Sequence, residues 1–84
     1  MYSDVIEAKV TGNLEFAVTF ADGLAGRVRL FPSHLYGVFE PLKDMDFFKR
    51  LEVRDGFVSW PGEIDLAPDA MYLAIKQHGE WVLS

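Results

Sequence analysis

The chain has 84 residues with a formal net charge of −5 at pH 7, and 50% of its residues are hydrophobic. This length accommodates one domain, 1–84, and the apolar content is sufficient for a hydrophobic core. The absence of cysteine excludes disulfides, thiolate catalysis and cysteine-based metal sites, while the acidic balance disfavours direct binding to nucleic acid and favours a basic partner protein.

The N-terminal residues MYSDVIEAKV contain neither a basic segment nor an apolar run. No stretch approaches the roughly 18 apolar residues of a membrane span. Disulfides form mainly in oxidising compartments, and a chain without cysteine fits a reducing one. We therefore expect a cytoplasmic protein without a membrane partner.

Three β-strands are predicted in the first third of the chain, because apolar and polar residues alternate there. Their predicted ranges are 5–11, 14–20 and 24–30. Between the second and third strands, a three-residue loop at 21–23 with Gly23 in the left-handed conformation pairs Phe16 with Val28. A two-residue turn would mix the two faces of the sheet, so the longer loop is favoured.

The first hairpin, tested in the same way, is predicted to turn at 11–13. This register sets Ala8 opposite Phe16 and Ile6 opposite Val18. All these apolar side chains then lie on one face, which is the arrangement that a buried sheet requires.

The other face of this sheet is predicted to be polar, with Glu15 between Lys9 and Arg29 and charges that alternate in sign across the strands. Exposed ion pairs of this kind contribute only about 0.2–1 kcal/mol each. The face is therefore interpreted as solvated, with a flat recognition surface as the functional alternative.

The middle of the chain is interrupted by residues that break helices and strands: Pro32, Gly37 and Pro41. Any helix around 33–36 is therefore expected to be short. Asp44 can cap a further short helix at about 45–50. The buried side of that helix would be formed by Phe47, Phe48 and Leu51.

A second hairpin is predicted in LEVRDGFVSW, because Asp-Gly is a preferred two-residue turn between strands. A turn at 55–56 pairs Val53 with Val58 and Leu51 with Trp60. These pairs place the apolar residues of both strands on one face.

The last predicted element is a helix that begins at Pro68 and ends near 76–78, with Gly79 as its stop. Leu73 projects away from the buried face, so this side would be covered by the tail around Trp81 or by another chain. The predicted class is α+β: an antiparallel sheet of two hairpin units (three strands, short helical turns, two strands) with one C-terminal helix.

The most distinctive stretch of the chain is VSWPGEIDLAPDAMY, residues 58–72. Pro61 cannot donate to a β-ladder, and Pro68 suits the first turn of a helix. The stretch is therefore interpreted as a structural corner in which Trp60 is buried. Trp81, near the end of the sequence, is equally consistent with packing and with an interface.

The alternative for this corner is a ligand or metal site, because Glu63, Asp65 and Asp69 carry the oxygen ligands that Mg²⁺ and Ca²⁺ prefer. Their spacing matches no defined motif, so Asp65 or Asp69 is expected to satisfy amides at the helix start instead. No metal or cofactor is expected. His34 and His78 are predicted to lie at the surface or its boundary, and no motif places a serine or acid beside either, so no enzyme is expected.

The chain also contains three characteristic segments: FADG at 20–23, VFEPLKDMDFF at 38–48 and VSWPGEIDLAPDAMY. Over about residues 5–75 it resembles a family of small bacterial proteins grouped as domain of unknown function 2442. The positions that match the most specific motif are Trp60, Pro61, Asp65, Pro68, Asp69 and Tyr72. Relatives usually have Trp-Pro-Asn-Gly at the loop, where this chain has Gly62 directly after the proline.

The resemblance implies an α+β fold similar to that of a small domain joined to a helix-turn-helix in some bacterial proteins. It also implies an antitoxin-like or regulatory role, since stand-alone members often occur beside small toxin-like proteins, and it implies no catalytic residues. The leading hypothesis is therefore a non-enzymatic protein-interaction module. The alternatives are a small ligand-binding domain or enzyme that uses the Glu63, Asp65 and Asp69 loop, and a self-associating structural protein.

Overall fold

The structure is a computed structural model that describes residues 4–83. The strands of this part are β1 (Val5–Gly12), β2 (Glu15–Phe20), β3 (Ala25–Leu30), β4 (Glu52–Arg54), β5 (Phe57–Trp60), β6 (Ile64–Leu66) and β7 (Glu80–Leu83). The α-helices are α1 (Met45–Phe48) and α2 (Pro68–His78), and two short 3₁₀ helices span Pro32–His34 and Gly37–Lys43.

Within residues 4–83 the strands form two sheets, sheet A with the order β1-β2-β3-β7 and sheet B with the order β4-β5-β6. The β3–β7 pair is parallel, and the other neighbouring pairs are antiparallel. The predicted α+β class is confirmed. Both predicted hairpin units are present, but they belong to different sheets rather than to one, and each sheet has a further strand that was not predicted, β6 in sheet B and β7 in sheet A. These strands have only three and four residues, too few for an alternating pattern to be recognised.

The hairpin of β2 and β3 has the predicted register, in which Phe16 lies opposite Val28. Gly23 has φ of 94°, and the Phe20 N–H donates to the Leu24 carbonyl over 2.7 Å to close the three-residue loop. Phe16, Phe20 and Val28 are each fully buried. The alternating pattern therefore identified the inner face of these strands.

The register predicted for the hairpin of β1 and β2 is wrong by two residues, since Ala8 lies opposite Val18. The turn falls at 13–14 and puts Leu14 in the left-handed region, with φ of 54°. That conformation costs a leucine about 1–2 kcal/mol, whereas burying its side chain contributes about 1.5–3 kcal/mol. Leu14 is 7% exposed, so the gain from burying its side chain outweighs the cost of its positive φ. The predicted turn at 11–13 did not place Leu14 in that conformation.

Strand β1 also has an irregular register between Val5 and Glu7. Val5 is buried opposite Phe20, while Ile6 is 61% exposed and has no opposite residue on β2. The expected contribution of Ile6 to the core is therefore wrong. An irregularity of this kind shifts which residues face inward, and strict alternation cannot reveal it.

The outer face of sheet A carries the predicted charges in a different arrangement. Glu15 lies opposite Arg29 and has its carboxylate 3.8 Å from both the Arg27 and Arg29 guanidinium groups. Lys9 lies opposite Ala17 rather than Glu15, because the β1 register differs. These side chains are partly exposed, so their ion pairs add little stability.

The hairpin of β4 and β5 pairs Val53 with Val58 as predicted, and both turn residues at 55–56 have positive φ. Because β4 begins at Glu52, Leu51 lies outside the ladder and the predicted pair with Trp60 is absent. The predicted cap of α1 is confirmed, since the Asp44 carboxylate accepts from the Asp46 N–H over 2.9 Å.

The core of the described residues lies between the two sheets and α2. At its centre the rings of Phe16, Phe48 and Trp60 lie 5.6–6.2 Å apart, centroid to centroid, in tilted or edge-on contacts. Helix α2 sits so close to β3 that a Cβ on Gly26 would lie 2.6 Å from Ile75 Cγ2. This close approach fixes the helix on sheet A.

Candidate functional site

Trp60, the first residue of the distinctive motif, is a core residue. It is 1% exposed, and its Nε1–H donates to the Phe48 carbonyl over 2.8 Å. The same indole contacts the Phe16 ring edge-on. The prediction that Trp60 is buried is confirmed, and its hydrogen bond joins β5 to the end of α1.

The loop after Trp60 is tighter than a simple corner between a strand and a helix. Pro61 ends β5 as predicted, but the chain reverses at once and β6 pairs with β5, with Trp60 opposite Ile64. Gly62 and Glu63 both have positive φ, 90° and 62°. The corner interpretation is therefore incomplete, because the stretch contains a hairpin before the helix begins.

Asp65 has a different role from the predicted helix cap. It lies on β6 opposite Ser59, and its Oδ1 accepts from the Ser59 hydroxyl over 2.8 Å. Ser59 is 1% exposed, so Asp65 satisfies a buried hydroxyl across the hairpin. The N-cap of α2 is Ala67, which has no side-chain cap, so of the two acids predicted for the helix start only Asp69 lies in its first turn.

Helix α2 itself has the predicted bounds. It begins at Pro68, carries Asp69 in its first turn and ends at His78, where Gly79 has φ of 80°. Asp69 lies where the helix dipole favours a negative charge. Glu63 is exposed in the preceding loop. Among residues 4–83, no group of three or more His, Asp or Glu side chains is placed to hold a metal ion.

Tyr72 joins the motif to the FADG segment. It is 6% exposed, its ring packs edge-on against Phe20, and its hydroxyl donates to the Asp22 carboxylate over 2.5 Å. The Leu24 N–H donates to the other oxygen of that carboxylate. The hydrogen bond from Tyr72, reinforced by the one from Leu24, lowers the pKa of Asp22 below its ordinary value.

The motif residues Trp60, Asp65 and Tyr72 thus each make a hydrogen bond to another element: α1, β5 and the β2–β3 loop respectively. Each hydrogen bond links two elements of the fold. The structure does not bring Glu63, Asp65 and Asp69 together around a common point. These three residues make contacts within the fold, and the exposed apolar side chains lie elsewhere on the molecule.

One such surface lies on the 3₁₀ segment after β3. Tyr36 and Val38 are each 70% exposed, and Phe31 is 41% exposed. The half-buried His34 ring lies 6.3 Å from the Tyr36 ring, centroid to centroid. We call Phe31, His34, Tyr36 and Val38 the loop patch. The loop patch was not predicted, although an aromatic-rich segment broken by proline and glycine is a signal for exposed aromatic residues.

The loop patch adjoins the charged face of sheet A. Phe31 and Pro32 line a depression of about 250 Å³ together with Glu15 and Arg29. Aromatic and charged side chains therefore meet at one border of the sheet. Such a combination is typical of protein-binding surfaces.

The C-terminal end of the described chain forms a second candidate surface. Trp81 lies on β7 opposite the buried Val28 and packs against the core, while it also lines a groove with Ala74, Gln77 and His78. The groove has a volume of about 590 Å³. His78 is exposed, as predicted. Leu73 is 56% exposed, so the tail around Trp81 does not cover it.

These features define a small α+β domain in which Trp60 of sheet B packs against Phe16 of sheet A. The chain belongs to the family described as "Protein of unknown function (DUF2442)", whose sequence model matches residues 5–77. Comparison with curated proteins and with solved structures found no significant match. Among the described residues, no helix is long and apolar enough to cross a membrane.

Proposed function

We propose that this protein is a non-enzymatic protein-interaction module of the bacterial cytoplasm that binds its partner through the loop patch. The observation that carries the proposal is the exposure of Tyr36 and Val38, each 70%, on neighbouring turns. Exposed apolar side chains grouped on a surface commonly mark protein-binding sites, and tyrosine is enriched among the residues that dominate binding energy.

The loop patch is held in place by its own backbone and by the core. The His34 and Leu35 N–H groups donate to the Phe31 and Pro32 carbonyls, and Phe39 donates to Tyr36. Leu35 is fully buried and anchors the segment from below. A surface that is already ordered loses little conformational entropy on binding, which favours affinity.

The expected partner is a basic protein. The chain carries 13 acids against 8 Lys and Arg, so it attracts cationic surfaces over a Debye length of about 8–10 Å. The family resemblance supports an antitoxin-like partner or an accessory role in a regulator.

The proposal can be tested by affinity capture of the tagged protein from its native host at low salt. The decisive comparison is between the wild type and the double variant Tyr36→Ser/Val38→Ser. The matched control is Ile6→Ser, which removes an exposed apolar side chain near the opposite end of sheet A, where Val5 pairs with Phe20.

We expect one basic protein to be recovered by the wild type and by the control, and little of it by the double variant, as a rise in Kd of at least about tenfold, or about 1.4 kcal/mol, would produce. Recovery of the bait alone, or an equal yield from the double variant, would contradict the proposal. Thermal melts of all three proteins establish that the substitutions leave the fold intact.

A further inference from the structure

The open edge of β7 is the least protected strand edge of the described chain. Edge strands normally resist pairing through lysines, irregular registers or short length. Strand β1 has Lys9 and two irregularities of register, and β4 and β6 have only three residues each. Strand β7 has four residues in regular register, and only Glu80 among them is charged.

The backbone groups at this edge can be assigned from the pairing with β3. The Phe31 N–H donates to the Leu83 carbonyl over 2.9 Å, so Leu83 directs its backbone groups toward β3. Successive residues of a strand direct their backbone groups alternately to the two neighbouring strands. Trp81, two residues before Leu83, therefore also directs its N–H and carbonyl toward β3. Glu80 and Val82 therefore direct their N–H and carbonyl groups to the open edge.

We infer that β7 pairs antiparallel with β7 of a second copy of this chain, around a two-fold axis at Trp81. In that register Glu80 of each copy lies opposite Val82 of the other copy, which gives two hydrogen-bonded pairs. Together these pairs satisfy the outward N–H and carbonyl groups of Glu80 and Val82 in both copies. Trp81 lies opposite its own counterpart as a non-hydrogen-bonded pair. The edge is thus complementary to itself.

Side chains on both faces fit this arrangement. On the inner face, the second Trp81 would enter the groove of about 590 Å³ beside Ala74 and Gln77. Leu73, which is 56% exposed, lies one helical turn before Gln77 on the same side of α2, and it would be covered by the second copy. On the outer face, Val82 is 41% exposed and would gain a neighbour.

The charge distribution also permits a second copy of an acidic chain. Glu80 lies 3.7 Å from the Arg29 guanidinium of its own chain, so its charge is compensated locally. The other residues at the groove, such as Ala74, Gln77 and Val82, carry no formal charge. Two chains of net charge −5 therefore meet at an edge where Glu80 is paired with Arg29, which limits their mutual repulsion there.

The proposal is tested by light scattering and sedimentation across a dilution series. The wild type is expected to reach twice the chain mass of 9.5 kDa at high concentration. Val82→Pro removes an outward N–H and leaves the pairing with β3 intact, so it should weaken dimerisation by at least about tenfold. The matched control Val82→Thr keeps the donor and should still dimerise. A wild type that stays monomeric at all concentrations overturns the inference.

A cross-link tests the register without relying on the proline variant. The chain has no cysteine, so Trp81→Cys places one thiol per copy. Non-hydrogen-bonded antiparallel pairs have Cα atoms about 4.5 Å apart, which is within disulfide range. Mild oxidation should give a covalent dimer, whereas Thr19→Cys, on the outer face of β2, should give none. Absence of the Trp81→Cys dimer would overturn the inference.

Discussion

The Tyr72 hydroxyl donates to the Asp22 carboxylate across 50 residues of sequence. Asp22 belongs to the FADG segment and Tyr72 to the segment VSWPGEIDLAPDAMY, so this hydrogen bond joins two of the characteristic segments. Trp60 connects a third segment in the same way, through the Phe48 carbonyl. Asp22, Trp60 and Tyr72 therefore take part in hydrogen bonds that join three segments of the chain within the fold.

The first prediction concerns acid stability. Because the pKa of Asp22 is lower in the folded protein than in the unfolded chain, its stabilising contribution is complete above the unfolded value near 3.9 and is lost as the pH falls through the lower folded value. Asp22→Asn should therefore be less stable than the wild type at neutral pH, and the difference should shrink below about pH 4.

Urea denaturation at several pH values measures this difference. Tyr72→Phe is the matched variant, since it keeps the ring contact with Phe20 and removes the largest cause of the lowered pKa. It should lose most of the same pH dependence. Equal stability differences at all pH values would show that the Asp22–Tyr72 bond is not the cause.

The second prediction separates the two contributions of Trp60. Trp60→Ala removes a side chain that is 1% exposed and should lower the free energy of unfolding by about 3–5 kcal/mol. Trp60→Phe retains a ring but removes the indole N–H, while the Phe48 carbonyl keeps the Leu51 N–H at 3.2 Å, so the cost should be only about 0.5–1.5 kcal/mol. Urea melts measure both, and a nearly neutral Trp60→Ala would contradict the core assignment.

The third prediction concerns the acids of the motif. Asp65→Ala leaves the buried Ser59 hydroxyl without its 2.8 Å acceptor and should cost about 1–2 kcal/mol. The double variant Ser59→Ala/Asp65→Ala removes both partners and should recover much of that loss. Asp69→Ala should cost only about 0.3–1 kcal/mol through the helix dipole.

Calorimetric titration with Mg²⁺, Ca²⁺ and Mn²⁺ tests the alternative role of these acids. We expect no saturable binding that Asp65→Asn abolishes, since Asp65 is engaged with Ser59 across the hairpin. Converging ligand carboxylates would repel one another, so their removal would stabilise the protein. A more stable Asp65→Ala variant, together with metal binding lost in Asp65→Asn, would make the loop a ligand site.

The fourth prediction concerns Gly26. An added methyl group would lie 2.8 Å from the Gly79 carbonyl, a backbone atom that cannot move aside, as well as against Ile75. Gly26→Ala should therefore destabilise the fold by about 1–3 kcal/mol. Gly12→Ala meets nothing within 4 Å and should change stability by no more than about 0.5 kcal/mol. Thermal melts that rank the two equally would contradict the close seating of α2 on β3.

The sequence predicted those elements that local chemistry determines. The Phe16–Val28 register followed from Gly23, and the bounds of α2 followed from Pro68 and Gly79. The prediction failed at the turn between β1 and β2, where the gain from burying Leu14 outweighs the cost of its positive φ. In such cases tertiary packing decides the local conformation, and no rule on turn residues contains that information.

The candidate site was predicted less well for a related reason. The residues of the motif were identified, but the partners of Asp65 and Tyr72 are set by strand pairing and by the long-range approach of α2. Gly26 within a predicted strand was an available signal of close backbone approach, and it was not used. Exposure of Tyr36 and Val38 depends on which neighbouring residues reach the core, which sequence alone does not reveal.

The most direct test of the central claim is a calorimetric titration of the captured partner into the purified protein and two variants. Tyr36→Ser/Val38→Ser alters the loop patch, and Asp65→Asn alters the motif. We predict that the Kd rises at least about tenfold for the loop-patch variant and changes less than about twofold for Asp65→Asn. An unchanged Kd for the loop-patch variant and a large rise for Asp65→Asn would contradict the account and place binding at the motif.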